Sequence, residues 1–181
     1  MAVYLRIIGI RKLDSIESEI NRLENILPKV EMNIDFLKQA GIIAKEIGTW
    51  ELKITEYHKY FEYKTGNHSF KVTFDSPDFL EFLCSHGGNY YHFVDEKNNA
   101  YANGVLKIFR SISILYELNE LTFFSEWFFD PDEIRIGDST FKELKKMMEL
   151  NPKYRRTELW GLESNEYYVE KINPIANNVY N

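Results

Sequence analysis

Cysteine occurs once, at Cys84, so no internal disulfide can staple this chain and a reducing, cytoplasmic setting is the expectation. Proline and glycine are also sparse, at 5 and 9 of 181 residues, and nowhere gather into a linker that would divide the chain. Positive charge is in deficit. Twenty-two Lys and Arg stand against 28 Asp and Glu, giving a net charge of -6 and a pI near 5.3. That balance opposes general attraction to a phosphate backbone, where affinity comes from neutralising phosphates, so nucleic acid is a disfavoured partner. No apolar run approaches the roughly 18 residues that would span a bilayer, and no membrane association is expected. The segment Met1 to Ile10 is apolar but broken by Arg6 and lacks a small-residue cleavage signature, which reads as a strand and not as a signal peptide. Asn67-His68-Ser69 matches a glycosylation acceptor, a match without meaning in a chain that is not secreted. Chemical motifs are missing too: no Gly-rich phosphate loop, no Gly-x-Ser-x-Gly elbow and no second Cys-x-x-Cys or His-x-x-x-His pair. The sequence therefore fixes no reaction and calls for no cofactor and no metal.

What is abundant is aromatic. Twenty-eight residues are Phe, Tyr or Trp, against 16 Leu and 6 Ala, and with 44% hydrophobic and 28% charged residues the chain is an ordinary globular one able to bury a core. Ala2 to Ile8 reads as a first strand with Val3, Leu5 and Ile7 on one face. Ile16, Ile20, Leu23 and Leu27 then recur at helical spacing after Asp14, which predicts a helix ending at Pro28, and a short helix is expected from Ile34 to Ala40 between Asn33 and Gly41. Trp50, Leu52 and Ile54 alternate with Glu51, Lys53 and Thr55, the pattern of a strand with one buried side.

The strongest local signal is a hairpin turning at Gly66-Asn67. Its register would set Thr65 against His68, Tyr63 against Phe70 and Phe61 against Val72 on an apolar face, and Glu62 against Lys71 on an ionic one. Ser76-Pro77-Asp78 predicts a helix start, with Phe79, Phe82 and Leu83 buried and Gly87-Gly88 as stop. Tyr90 to Val94 reads as a strand. Asn98-Asn99 opens a longer helix carrying Tyr101, Val105, Ile108, Ile112 and Leu115, weakened at Gly104; Ser111 to Ile114 alternates as well, leaving a strand open there. A strand is expected from Leu121 to Phe129, a last helix from near Asp138 with Phe141, Leu144 and Met148 buried, and two late strands at Glu158 to Leu162 and Tyr167 to Ile172. Strands and helices alternate without a regular repeat. The fold class is accordingly α+β: a mixed, mainly antiparallel sheet with several helices packed on it, as one domain over residues 1–172 with a frayed tail over 173–181.

Three groups of residues invite chemistry. Cys84, His86 and His92 lie close together in sequence, yet residues two apart on a helix do not face each other, which leaves Cys84 as a buried structural thiol. The hairpin register places His58 opposite Asp75, a pairing able to support acid-base work or to serve as a solvated surface pair. Lys142, Lys145, Lys146, Lys153, Arg155 and Arg156, with Tyr154, form a basic stretch that suits either RNA or the solvated side of the last helix.

The distinctive stretch runs between Arg110 and Arg135, where the only ionic side chains are Glu117, Glu120, Glu126, Asp130, Asp132 and Glu133, interleaved with Phe123, Phe124, Trp127, Phe128 and Phe129. Strand alternation puts rings on both faces, so the stretch is either a central strand covered on both sides or an exposed aromatic patch rimmed by carboxylates. The second alternative defines a partner-binding face of Glu117, Glu120, Phe124, Glu126, Trp127, Phe128, Asp130, Asp132 and Glu133, because aromatic anchors dominate interface energetics and carboxylates speed encounter with a basic partner. The functional expectation is a non-enzymatic, acidic, cytoplasmic protein-binding domain that docks and blocks a basic partner such as a nuclease toxin, in the manner of immunity proteins and antitoxins. The alternatives are a small enzyme with an aromatic-lined pocket using His58, His92 or Cys84, and an RNA-binding accessory domain.

Overall fold

The computed structural model describes residues 5–44, 48–85, 99–125 and 141–173. One sheet collects strands from every one of these stretches except 5–44's helical part: β1 (Leu5–Ile10), β2 (Trp50–Ile54), β3 (Lys59–Thr65), β4 (His68–Thr73), β5 (Phe79–Cys84), β6 (Glu120–Ser125), β7 (Arg155–Arg156) and β8 (Tyr167–Lys171). The spatial order is β2-β3-β4-β5-β1-β6-β8-β7, antiparallel throughout except for the short parallel pair β7 and β8. The helices are α1 (Ile16–Ile26), α2 (Asp35–Gln39), α3 (Ala100–Tyr116) and α4 (Phe141–Leu150). The predicted mixed, mainly antiparallel α+β class is the fold observed.

The hairpin register is the predicted one, pair by pair, from Thr65 against His68 to Phe61 against Val72, with Glu62 against Lys71. Only Gly66 of the turn takes a positive φ, 59°, the requirement of a turn with glycine at its first central position. Helix α1 begins one residue later than its predicted cap: Ser15, not Asp14, accepts a hydrogen bond from the Ser18 amide at 3.1 Å. Asn99 caps α3 by accepting from the Tyr101 and Ala102 amides, and α3 stays helical through Ser111 to Ile114 to its end at Tyr116. The glycine in α3 has a packing reason. A Cβ at Gly104 would collide with the Phe36 ring, so the roughly 1 kcal/mol of lost helix propensity is the condition for α2 to lie against α3.

Two segments depart from expectation. Ser76 to Asp78 starts no helix; the residues that follow form β5. Ser76 Oγ does accept the Asp78 amide, at 3.1 Å, as a cap would, but the Asp78 and Pro77 carbonyls are taken by the Arg11 and Leu13 amides at 3.0 and 2.8 Å, which extends pairing beyond β1. Phe79-Leu80-Glu81-Phe82 is buried on both faces in mid-sheet, Glu81 against Arg6, and its Phe79, Phe82 and Leu83 also fall at the three-and-four spacing of a buried helix, so spacing alone does not separate the two. Glu158 to Leu162 is likewise no strand but a turn, closed by the Leu162 amide on the Leu159 carbonyl at 3.2 Å, with both leucines buried. The expected strand at Tyr90 to Val94 and the tail beyond Asn173 lie outside the described residues.

The two faces of the sheet differ. On the first, Leu5, Ile7, Phe61, Tyr63, Phe70, Val72, Leu80, Phe82, Leu121 and Phe123 meet α1, α2 and α3 in the main core. On the second, Ile8, Phe79, Phe124 and Tyr167 meet Leu144 and Met148 of α4 in a smaller one. Toward β2 the second face becomes ionic: Arg6 pairs with Glu81, Lys71 with Glu62 at 3.6 Å, and Lys53 with Glu51. A buried polar knot ties α1 to α3. The Tyr116 hydroxyl donates to Glu19 at 2.8–2.9 Å, Arg11 lies 3.5 Å from the same carboxylate, and the Arg22 guanidinium covers the Tyr116 ring at 4.1 Å. Burial first, and then the Glu19 carboxylate, push the Tyr116 hydroxyl's pKa upward, which keeps it a donor.

Candidate functional site

Of the predicted partner-binding face, Glu117, Glu120 and Phe124 lie among the described residues. Phe124 is completely buried, in contact with the second core, and it offers no surface to a partner. Its neighbours Leu121, Thr122, Phe123 and Ser125 are buried as well, so the described part of the stretch is a central strand covered on both sides. The cause is its position between β1 and β8, with α3 over one face and α4 over the other. Glu120 is turned to Lys171, its cross-strand neighbour, and Glu117 is the left-handed residue (φ 66°) that ends α3, beside Arg22 at 3.5 Å. Glu126, Trp127, Phe128, Asp130, Asp132 and Glu133 lie outside the described residues.

The alternative chemistries fare unevenly. His58 and Asp75 meet as the register requires: His58 Nδ1 lies 2.9 Å from one Asp75 oxygen, and the Lys59 amide donates to the other at 2.5 Å. The imidazole is two-thirds exposed at the Thr55–His58 turn, and among the described residues nothing bonds its other nitrogen, so the pair has an orienting carboxylate but no group to activate. Cys84 is half-buried on β5, where the Tyr101 hydroxyl approaches its sulfur at 3.7 Å; His86 and His92 lie outside the described residues. Burial, and then the sulfur, drive the Tyr101 pKa up, which keeps this hydroxyl neutral. In the basic stretch, Tyr154 packs against the second core and beneath the Lys153 ammonium at 4.7 Å, while Arg156 is held 3.4 Å from Glu166. Its ring is thus engaged before any base arrives. Among the described residues, no three His, Cys, Asp or Glu side chains converge as a metal site, and no helix is long and apolar enough to cross a membrane.

A site that sequence reasoning passed over sits at the other end of the sheet. Pro28 ends α1 in a tight turn, after which Val30 adopts an extended backbone and the chain runs to the start of α2. Across from this segment stand Gly48, Thr49 and Trp50 at the head of β2. Between them opens a cleft of about 770 Å³, lined on the apolar side by Leu27, Val30, Met32, Ile34, Ala44 and Trp50 and at the polar side by Glu31, Asn33, Asp35 and Lys38. Its floor is rigid. The Trp50 and Tyr63 rings pack at 5.6 Å between centroids, and the Gly48 amide donates to the Tyr63 hydroxyl at 2.9 Å. Gly48 must be glycine here, since a Cβ would strike the Lys64 carbonyl. Among the described residues the buried Trp50 indole N–H has no acceptor, an omission worth about 1–3 kcal/mol. The signal for this cleft was present: Val30, Met32 and Ile34 alternate with Glu31, Asn33 and Asp35, a period of two in a segment that is no strand.

An antiparallel-sheet α+β domain with an aromatic-floored, carboxylate-rimmed cleft at one sheet edge is thus the class the fold and site define. Compared with protein-family models, with curated proteins and with solved structures, the chain matches none.

Proposed function

We propose that this protein is a non-enzymatic binding domain that docks and blocks a basic protein partner, most naturally a toxin nuclease whose cationic active site it would cover, as an immunity protein or antitoxin does. The observation that carries the reading is the cleft: the packed Trp50 and Tyr63 rings suit the aromatic anchoring of an interface, and the exposed Glu31, beside an Asp35 already held by Lys38 at 3.1 Å, suits a cationic segment. The acidic balance of the whole chain, -6, adds long-range attraction of the same sign. With Phe124 in the core, this reading favours the β2 edge over the ring-rich stretch as the contact surface, and the carboxylates Glu126, Asp130, Asp132 and Glu133 remain a second acidic contribution to be tested beside it.

The test is capture from the native host with the tagged protein, followed by titration of the captured partner against two variants. W50A/E31K is expected to weaken binding by about thirtyfold or more and to flatten its salt dependence while melting cooperatively. E126S/D130S/D132S is expected to slow association with a smaller loss of affinity. A partner that is acidic, or a basic one whose binding ignores both variants, would overturn the reading.

A further inference from the structure

We propose that the outer edge of β2 is a self-complementary pairing surface, and that two copies of this chain join there, antiparallel, into one continuous sheet. Among the described residues no strand pairs with that side of β2. The polarity of its main chain follows from its inner partner. Lys59 directs its N–H to Asp75 and its carbonyl to the Phe74 amide at 2.9 Å, both on the β4 side, so its pair with Ile54 is a non-hydrogen-bonded one. Alternation along an antiparallel ladder then sends the N–H and C=O groups of Trp50, Leu52 and Ile54 to the open edge.

The side chains are patterned for one register. With a two-fold axis at Leu52, each Glu51 stands opposite the second copy's Lys53, and each Trp50 opposite the second copy's Ile54. Opposite charges thus meet on the ionic face and apolar residues on the other, the arrangement that stabilises cross-strand neighbours. Within one copy Glu51 faces the like charge of Glu62, which Lys71 holds, and is bonded by its own Lys53; a second copy's Lys53 would bring a further cation against this row of two glutamates across the junction. A lysine on an edge strand commonly guards against pairing. Here the neighbouring glutamate turns the guard into half of a matched pair. Ile54, 59% exposed in the single copy, would gain cover beside Trp50. Since Trp50 also lines the cleft, the second copy's Ile54 would stand at the margin of the docking site, but the pairing requires no third molecule and does not depend on the function proposed for that site.

Sedimentation velocity on the full chain, from about 1 to about 100 μM, tests it, because an edge contact of this size is expected to be weak and concentration-dependent. The wild type should move from the mass of one chain toward two. E51K and K53E, each checked for an unchanged circular dichroism spectrum, should each shift that transition upward by about tenfold or more, since each sets like charges face to face. An equimolar mixture of the two should dimerise at least as readily as the wild type, because the lysines of one then face the glutamates of the other. A wild type that stays monomeric throughout, a dimer indifferent to E51K, or a mixture that fails to associate would overturn the proposal. Capture of a basic partner is reported separately by E31K alone, because Trp50 belongs to both surfaces and Glu31 lies off β2.

Discussion

Strands β6 and β2 have similar lengths and both combine large apolar residues with charge, yet one is the best-buried strand of the sheet and the other its open margin. In β6 the rings occupy both faces, Phe123 in the main core and Phe124 in the second, and a helix covers each. In β2 the apolar residues occupy one face only, and Glu51 and Lys53 hold the other in solvent. The density of aromatic residues therefore reports coverage on two sides. Strict alternation with ionic residues reports coverage on one, and it is the one-sided strand that, among the described residues, has an unpaired edge and a tryptophan lining a cleft.

The largest effect that separates these two regions is on stability. F124A should cost about 3–5 kcal/mol in chemical denaturation, because it empties a fully buried aromatic site, whereas I54S should stay within about 0.5 kcal/mol. Equal costs at the two positions would erase the distinction. A subtler contrast lies in the pH dependence of two glutamates on the same face. Burial, opposed by Arg6, raises the Glu81 pKa, so its favourable contribution is fully present below the ordinary carboxylate range and is lost as pH rises through the raised value. The Glu51 pKa is lowered by its hydrogen bond and charge interaction with Lys53, so its contribution is present above the ordinary range and is lost on acidification. Across about pH 4 to about pH 7, E81Q should therefore gain stability relative to the wild type as pH rises, and E51Q should lose a little. The same sign at both positions would contradict the assignment of one to the desolvated interior and the other to the margin.

Much of the fold is written in local pattern. The hairpin was legible to the residue because Gly66-Asn67 fixes the turn and a period of two fixes the faces. The His58–Asp75 contact followed from the same register. Helices α1 and α3 were legible from apolar spacing, and α4 from Leu144 and Met148. Strand β5 was not, because Phe79 to Phe82 is buried on two sides and Phe79, Phe82 and Leu83 fall at helical spacing, while Ser76-Pro77-Asp78 mimics a helix start whose carbonyls are in fact taken by the chain after β1. The site was less legible than the fold. Phe124 drew attention by its company of rings, but its burial depends on helices distant in sequence; the cleft depends on Val30 to Asp35 meeting Trp50 across the fold, which no window of neighbouring residues contains.

Amide hydrogen exchange on the unliganded protein, followed in dilute and in concentrated solution, addresses most directly whether β2 is the available edge and β6 the sealed centre. Peptides spanning Trp50 to Ile54 should exchange quickly when dilute and gain protection on concentration, while those spanning Glu120 to Ser125 should be the slowest in the molecule under both conditions. Rapid exchange in β6, or a β2 already fully protected in dilute solution, would place the contact surface somewhere else.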